Sequence, residues 1–140
     1  MLILTDSKGT PLAASEPIAG NHNDAYELSG HLRKMLDDID KSDISTAGLF
    51  LNADARFDTK DFREYCLSKD IIGNIAINPR NGNYEENLFD ELLYKCRFVI
   101  ERTNAWLDAF KILLVSFETN QIHWKALHFI AFTVILSRQL

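Results

Sequence analysis

The stretch AGLFLNAD, residues Ala47 to Asp54, decides the fold because it predicts a strand placed between two helical segments. It is a compact apolar run that ends in an acid, as expected for a buried strand with an aspartate at its carboxyl end. Ligand sites of α/β sheets gather at the carboxyl ends of the strands. Position alone therefore makes Asp54 a candidate functional residue.

Upstream of this strand, the pattern predicts a hairpin and then a helix. Leu2–Leu4 and Leu12–Ile18 are apolar runs that flank the turn cluster DSKGTP. The polar segment GNHND offers Asn23 or Asp24 as the cap of a helix of about fifteen residues. That helix is predicted from apolar residues at helical spacing: Tyr26, Leu28, Leu32, Met35, Leu36 and Ile39.

Downstream, Asp58 or Thr59 can cap a second helix, and a second strand follows it. The predicted ranges are a helix through Cys66, a strand over Ile71–Ile77, a loop over Asn78–Asn83, helical structure from Leu88 onward, a break at Ser116–Asn120 and a last helix over Trp124–Leu136. The order ββαβαβ followed by helices predicts an α/β domain with a mixed sheet whose first strand pair is antiparallel.

Composition narrows the class of protein. The chain has 140 residues, of which 46% are hydrophobic and 25% charged, and these values predict one globular domain. No run approaches the roughly 18 apolar residues of a membrane span, so a cytoplasmic protein is expected. The net charge of −5 argues against a surface that coats nucleic acid, so any DNA contact must be local. Cys66 and Cys96 lack Cys-x-x-Cys spacing and are expected to be reduced and packed.

The stretch YKCRFVIERTNAWLDAF, residues Tyr94 to Phe110, predicts one helix that carries a charged pair, Glu101 and Arg102. Its apolar stripe consists of Val99, Thr103, Trp106, Phe110 and Leu113. Glu101 lies on the opposite face, and helix geometry alone favours a solvated acid there. The alternative is a catalytic carboxylate.

The histidines and the last helix favour structural roles. His22, His31, His123 and His128 show no paired ligand spacing, so no histidine metal site is predicted. The segment LHFIAFTVIL, Leu127 to Leu136, is apolar nearly all round and predicts a buried helix in which His128 is packed.

Three segments together resemble the C-terminal part of a DDE transposase of bacterial insertion sequences. They are LNADARFDTKDFREYC, NPRNG and YKCRFVIERTNAWLDAF, in this order and spacing. In that family the second catalytic aspartate lies in an Ala-Asp-x-Gly-[Tyr/Phe]-Asp motif, where this chain has Asp54. The catalytic glutamate lies in a Tyr-x2-Arg-x3-Glu-x6-Lys signature, whose spacing Tyr94, Arg97 and Glu101 keep. GNHND resembles the family's Gly-x-x-x-Asp stretch, and the likeness spans essentially the whole chain.

The resemblance implies a ribonuclease H-like fold and metal-dependent DNA strand cleavage and transfer during transposition. Asp54 and Glu101 would be the catalytic, metal-binding carboxylates of a centre that holds two Mg²⁺ or Mn²⁺ ions, since these ions prefer oxygen ligands. The implied partners are insertion-sequence ends and target DNA in a bacterial cytoplasm. The residues expected to contact DNA are Tyr94, Lys95, Arg97, Arg102 and Lys111. The alternative for Arg97 and Arg102 is that they balance the charge of the acidic cluster.

The departures from the family pattern qualify this expectation. The family's first catalytic aspartate lies on a central strand upstream of the hairpin, whereas Asp6 falls in the predicted hairpin turn. Arg56 replaces the motif's glycine and Asp108 the signature's lysine. We therefore expect a truncated domain without its first strand, inactive unless an upstream transposase segment completes it and prone to self-association as a homo-oligomer through its open sheet edge. The alternative is a non-catalytic DNA- or protein-binding remnant of a decayed insertion sequence.

Overall fold

A computed structural model describes residues 1–18, 27–81, 89–114 and 118–138 of the chain. Composition predicted one domain, and the contacts divide the chain into two compact units. Unit 1 comprises Met1–Ile18 and Phe98–Leu140, and unit 2 comprises Ala19–Arg97.

The elements follow the predicted order of two strands, alternating helices and strands, and then helices. They are β1 (Ile3–Thr5), β2 (Pro11–Ala14), α1 (Leu28–Asp40), β3 (Phe50–Ala53), α2 (Lys60–Ser68), β4 (Ile72–Ile75), α3 (Glu91–Lys95), α4 (Val99–Asp108), α5 (Lys111–Leu114) and α6 (Gln121–Ser137). Short 3-10 turns occupy Ala55–Phe57, Pro79–Asn81 and Cys96–Phe98. The α/β class is confirmed.

The strands of the described residues form two separate two-stranded sheets instead of one mixed sheet. In unit 1, β1 and β2 form the predicted antiparallel hairpin, with Leu4 opposite Ala13. In unit 2, β3 and β4 run parallel, with Ala53 opposite Ile75. Helix α2 supplies the crossover connection that this parallel pairing requires.

Unit 2 has its core between α1, α2 and the parallel strand pair. The buried residues of α1 are those predicted from helical spacing: Leu28, Leu32, Met35, Leu36 and Ile39. Thr59 caps α2 by accepting a 3.2 Å hydrogen bond from the Phe62 amide. The prediction that β3 is fully buried is wrong, since Phe50 is exposed on this two-stranded sheet. The cap candidates Asn23 and Asp24 lie outside the described residues, as do His22, Tyr26, the GNHND stretch and Leu88.

Unit 1 has its core where α6 packs on α4 and on the hairpin. Its buried members are Ala14, Leu107, Ala131, Phe132 and Ile135. His128 is buried there as predicted, with Nδ1 2.9 Å from the Trp124 carbonyl oxygen. Burial lowers the pKa of His128, so the ring is neutral at pH 7.

The prediction that the last helix is buried all round is wrong. Among the described residues, one face of α6 packs in the core, and Ile122, Phe129 and Ile130 on its other side are exposed, Ile122 to 77%. Apolarity does not determine which face of a helix meets a neighbour. Within the described residues, no helix combines the length and apolarity needed to cross a bilayer.

The two cysteines differ in their surroundings. Cys66 is packed on α2, where burial raises the pKa of its thiol to about 11, so it stays protonated at neutral pH. Cys96 is exposed, so the prediction that it is packed is wrong. Both thiols are free, as predicted.

Candidate functional site

Asp54 follows β3 directly and lies at the carboxyl end of the parallel strand pair, as predicted. The residue has extended backbone angles, φ −68° and ψ 158°, and begins the 3-10 turn over Ala55–Phe57. Its side chain is 35% exposed. The carboxylate is therefore accessible to solvent. It lies at the carboxyl edge of the parallel strands, where α/β sheets bind their ligands.

A buried asparagine on the neighbouring strand fixes the start of helix α3 at this edge. The Asn74 side chain accepts a 2.9 Å hydrogen bond from the Asp90 amide and donates one of 2.9 Å to the Asp90 carbonyl. Asn74 also donates to Asn52 Oδ1 at 2.9 Å, and the Asn52 amide donates to the Leu93 carbonyl at 3.0 Å. These bonds tie β3, β4 and α3 together, because each buried amide group is satisfied by a partner in a different element.

Tyr94 lies on this anchored helix, and Arg97 lies in the 3-10 turn that follows it. Arg97 Nη1 lies 3.3 Å from Asp54 Oδ2, and the guanidinium carbon lies 4.8 Å from the centre of the Tyr94 ring. The ion pair with Asp54 and the cation–π contact with Tyr94 hold the guanidinium from two sides. Two segments that are 43 positions apart in sequence thus meet at Asp54.

A second aspartate supports the same turn from inside the protein. The Asp58 side chain has no exposed surface and pairs with Arg63 at 2.6 Å. Its other oxygen accepts a 2.7 Å hydrogen bond from the Asn78 amide, and Arg63 also donates to the Ile75 carbonyl at 3.0 Å. Sequence reasoning treated Asp58 only as a possible helix cap, although it stands at the final aspartate of the family motif. We infer that it anchors the loop that carries Asp54.

The prediction of one continuous helix over Tyr94–Phe110 is wrong. Helix α3 ends at Lys95, a 3-10 turn spans Cys96–Phe98, and α4 begins at Val99. A 3-10 turn has about 3.0 residues per turn against 3.6 in an α-helix. The turn therefore breaks the regular helical repeat between Lys95 and Val99.

Glu101 is exposed in the first turn of α4, opposite the core-facing side, as predicted. The hairpin turn of unit 1 anchors that helix, because the buried Thr103 hydroxyl donates to the Gly9 carbonyl and Arg102 donates to the Lys8 carbonyl at 3.1 Å. Glu101 belongs to unit 1 and Asp54 to unit 2, so their convergence on one cation stays a prediction.

The backbone conformation of Gly9 allows the hairpin turn to contact α4. It has φ +84°, and an added Cβ would lie 2.8 Å from the Val99 carbonyl oxygen. We predict that Gly9→Ala lowers the free energy of unfolding by about 1–3 kcal/mol, because strain and a backbone clash combine. Urea denaturation measures the loss. Gly48→Ala is the matched control, since Gly48 has φ +71° but open space around it, and an equal loss in both variants would contradict the clash.

Asp6 lies in the hairpin turn, as the sequence predicted. Its Oδ1 accepts hydrogen bonds from the Lys8 and Thr10 amides, both at 2.8 Å. The carboxylate thus holds the turn that receives α4.

The remaining basic candidates lie on the surface. Lys95 and Lys111 are exposed, whereas the Arg102 guanidinium is already engaged by the Lys8 carbonyl. Their roles in DNA binding stay predictions.

The described residues of unit 2 do not by themselves fit a two-metal centre. One Asp54 oxygen is paired with Arg97, and both polar atoms of the Asn52 amide are hydrogen-bonded. Over the ranges that the structure covers, no three His, Cys, Asp or Glu side chains come together as a metal site.

Comparison with known proteins assigns no family, since no family model, curated protein or solved structure matches the chain.

Proposed function

We propose that the chain is the C-terminal part of the catalytic domain of a DDE-type transposase, with Asp54 and Glu101 as two of its carboxylates. The observation that carries the proposal is the contact between Arg97 and Asp54. The Tyr-x2-Arg portion of the signature and the Ala-Asp motif resemble separate parts of that family, and in this chain the two motifs touch. A ribonuclease H-like fold belongs to the same proposal.

The chemistry requires carboxylates at such a position. Strand cleavage and transfer replace one phosphodiester bond by another, and divalent cations stabilise the attacking and leaving oxygens. Asp54 is accessible at a strand end and Glu101 is exposed in the first turn of a helix, so neither needs unfolding to reach a cation. Lys95 and Lys111 supply exposed positive charge for DNA phosphates.

A second candidate function is a non-catalytic DNA- or protein-binding remnant. The ion pair at Asp54 favours it, because a carboxylate that is already paired with Arg97 need not hold a metal. Cation binding distinguishes the two candidates.

The test measures the affinity of the full chain for Mn²⁺ by calorimetry. If one ion bridges the two carboxylates, Asp54→Asn and Glu101→Gln should each weaken binding at least about tenfold, and the double variant should be little worse than either. Asp70→Asn and Glu64→Gln are matched surface controls and should leave the affinity unchanged. Independent, additive losses would show that the two residues do not share an ion.

A further inference from the structure

Arg97 is the residue whose contacts bear most directly on whether Asp54 can take a cation. Its guanidinium lies 3.3 Å from Asp54 Oδ2, and the two side chains are 29% and 35% exposed. The pair is thus neither free in solvent nor sealed in the core. An ion pair in this setting is screened only in part, so its charge affects what else the carboxylate can bind.

The position of Arg97 is fixed by its neighbours. The Asn74 network anchors α3 to both strands, and the Tyr94 ring lies 4.8 Å from the guanidinium carbon. The anchored helix α3 and the Tyr94 ring therefore position Arg97 beside Asp54.

A cation on Asp54 would have to share the carboxylate with this guanidinium. Mg²⁺ and Mn²⁺ bind carboxylate oxygens at about 2.1 Å, so the ion and the guanidinium would be like charges on one small group. The Asn52 amide, two residues before Asp54, is neutral and already hydrogen-bonded to Asn74 and to the Leu93 carbonyl, so it adds no negative charge to offset the guanidinium.

We propose that Arg97 is an internal counter-ion of Asp54, which lowers the affinity of that carboxylate for a divalent cation. This inference rests on the proposed function, because it assigns a cation to Asp54. It makes Arg97 a positioning and affinity-determining residue.

The experiment measures Mn²⁺ binding to the full chain by calorimetry and by paramagnetic broadening of the backbone amide signals of Ala53 and Ala55. Arg97→Gln removes the positive charge and should tighten binding at least tenfold. Arg97→Lys keeps the positive charge, so its affinity should lie closer to that of the parent chain than to that of Arg97→Gln. Lys69→Gln, an equal charge change at an exposed position of the same unit, should have no effect on either readout.

The outcomes separate this inference from the function on which it rests. If Arg97→Gln binds no more tightly than the parent chain, the counter-ion is refuted. If Arg97→Lys tightens binding as much as Arg97→Gln, the effect is one of packing and the inference is equally refuted. The proposed function is tested by Asp54→Asn in the Arg97→Gln background, which should abolish the broadening. Broadening that survives that change would show that the ion is not on Asp54.

Discussion

Replacing Asp58 with alanine is expected to lower the free energy of unfolding by about 3–5 kcal/mol, the cost of breaking a buried ion pair by removing one partner. The Asp58 side chain has no exposed surface, and its partner Arg63 is only 14% exposed. The change would leave a guanidinium without its counter-ion and the Asn78 amide without its acceptor. Since a domain of this size is stable by only about 5–15 kcal/mol, much of that margin would be lost.

Urea unfolding followed by circular dichroism measures the effect, and a double-mutant cycle identifies its cause. Arg63→Met removes the charge that Asp58 neutralises, so the double variant should be clearly more stable than the sum of the single losses predicts. Thr59→Ala, which removes only the cap of α2, should cost about 1 kcal/mol. A loss below about 1 kcal/mol in Asp58→Ala would show that the buried pair does not stabilise the loop after β3.

The order of elements could be predicted because it depends on local periodicity. The spacing of apolar residues in α1, the turn cluster of the hairpin and the cap at Thr59 are each determined by a few neighbouring residues. The place of Asp54 at a strand end follows from the same local pattern and from the parallel pairing of β3 with β4.

The hydrogen bonds and ion pairs around Asp54 could not be predicted from local periodicity. Asn74 bonds to Asn52 and to Asp90, which are 22 and 16 positions away, and no periodicity connects such residues. The roles of Asp58 and Arg97 likewise depend on tertiary contacts. For Asp58 a signal existed, because the family motif ends in that aspartate, whereas Asn74 carried none.

The errors also have tertiary causes. The sequence of α6 is apolar nearly all round, but among the described residues the buried face is the one that packs with Ala14 and Leu107. The helix predicted from Tyr94 is interrupted after Lys95, and the apolar stripe that predicted it begins only at Val99, after the interruption. Periodicity identifies candidate faces, and the packing determines which of them is buried.

The remaining prediction concerns catalysis and has the largest expected effect. The 140-residue chain by itself should show no detectable Mg²⁺- or Mn²⁺-dependent cleavage of a DNA substrate, because Asp54 and Glu101 provide fewer carboxylates than two metal ions require. Joined to an upstream transposase segment that carries an aspartate on a strand, it should gain strand cleavage. In that joined protein Asp54→Asn or Glu101→Gln should lower the rate at least about a hundredfold, because a lost ligand removes stabilisation of the developing charge.

Nicking of a supercoiled plasmid and joining of labelled ends measure the two steps, with Asp70→Asn and Glu64→Gln as charge-matched controls that should retain full activity. Arg56 and Asp108 can be tested separately, since they stand where the DDE transposase motifs have glycine and lysine. If the joined protein is inactive, Arg56→Gly with Asp108→Lys should restore cleavage, because glycine removes a long side chain two positions after Asp54 and lysine supplies a phosphate contact. Robust nicking by the isolated chain that survives both Asp54→Asn and Glu101→Gln would refute the assignment of these carboxylates.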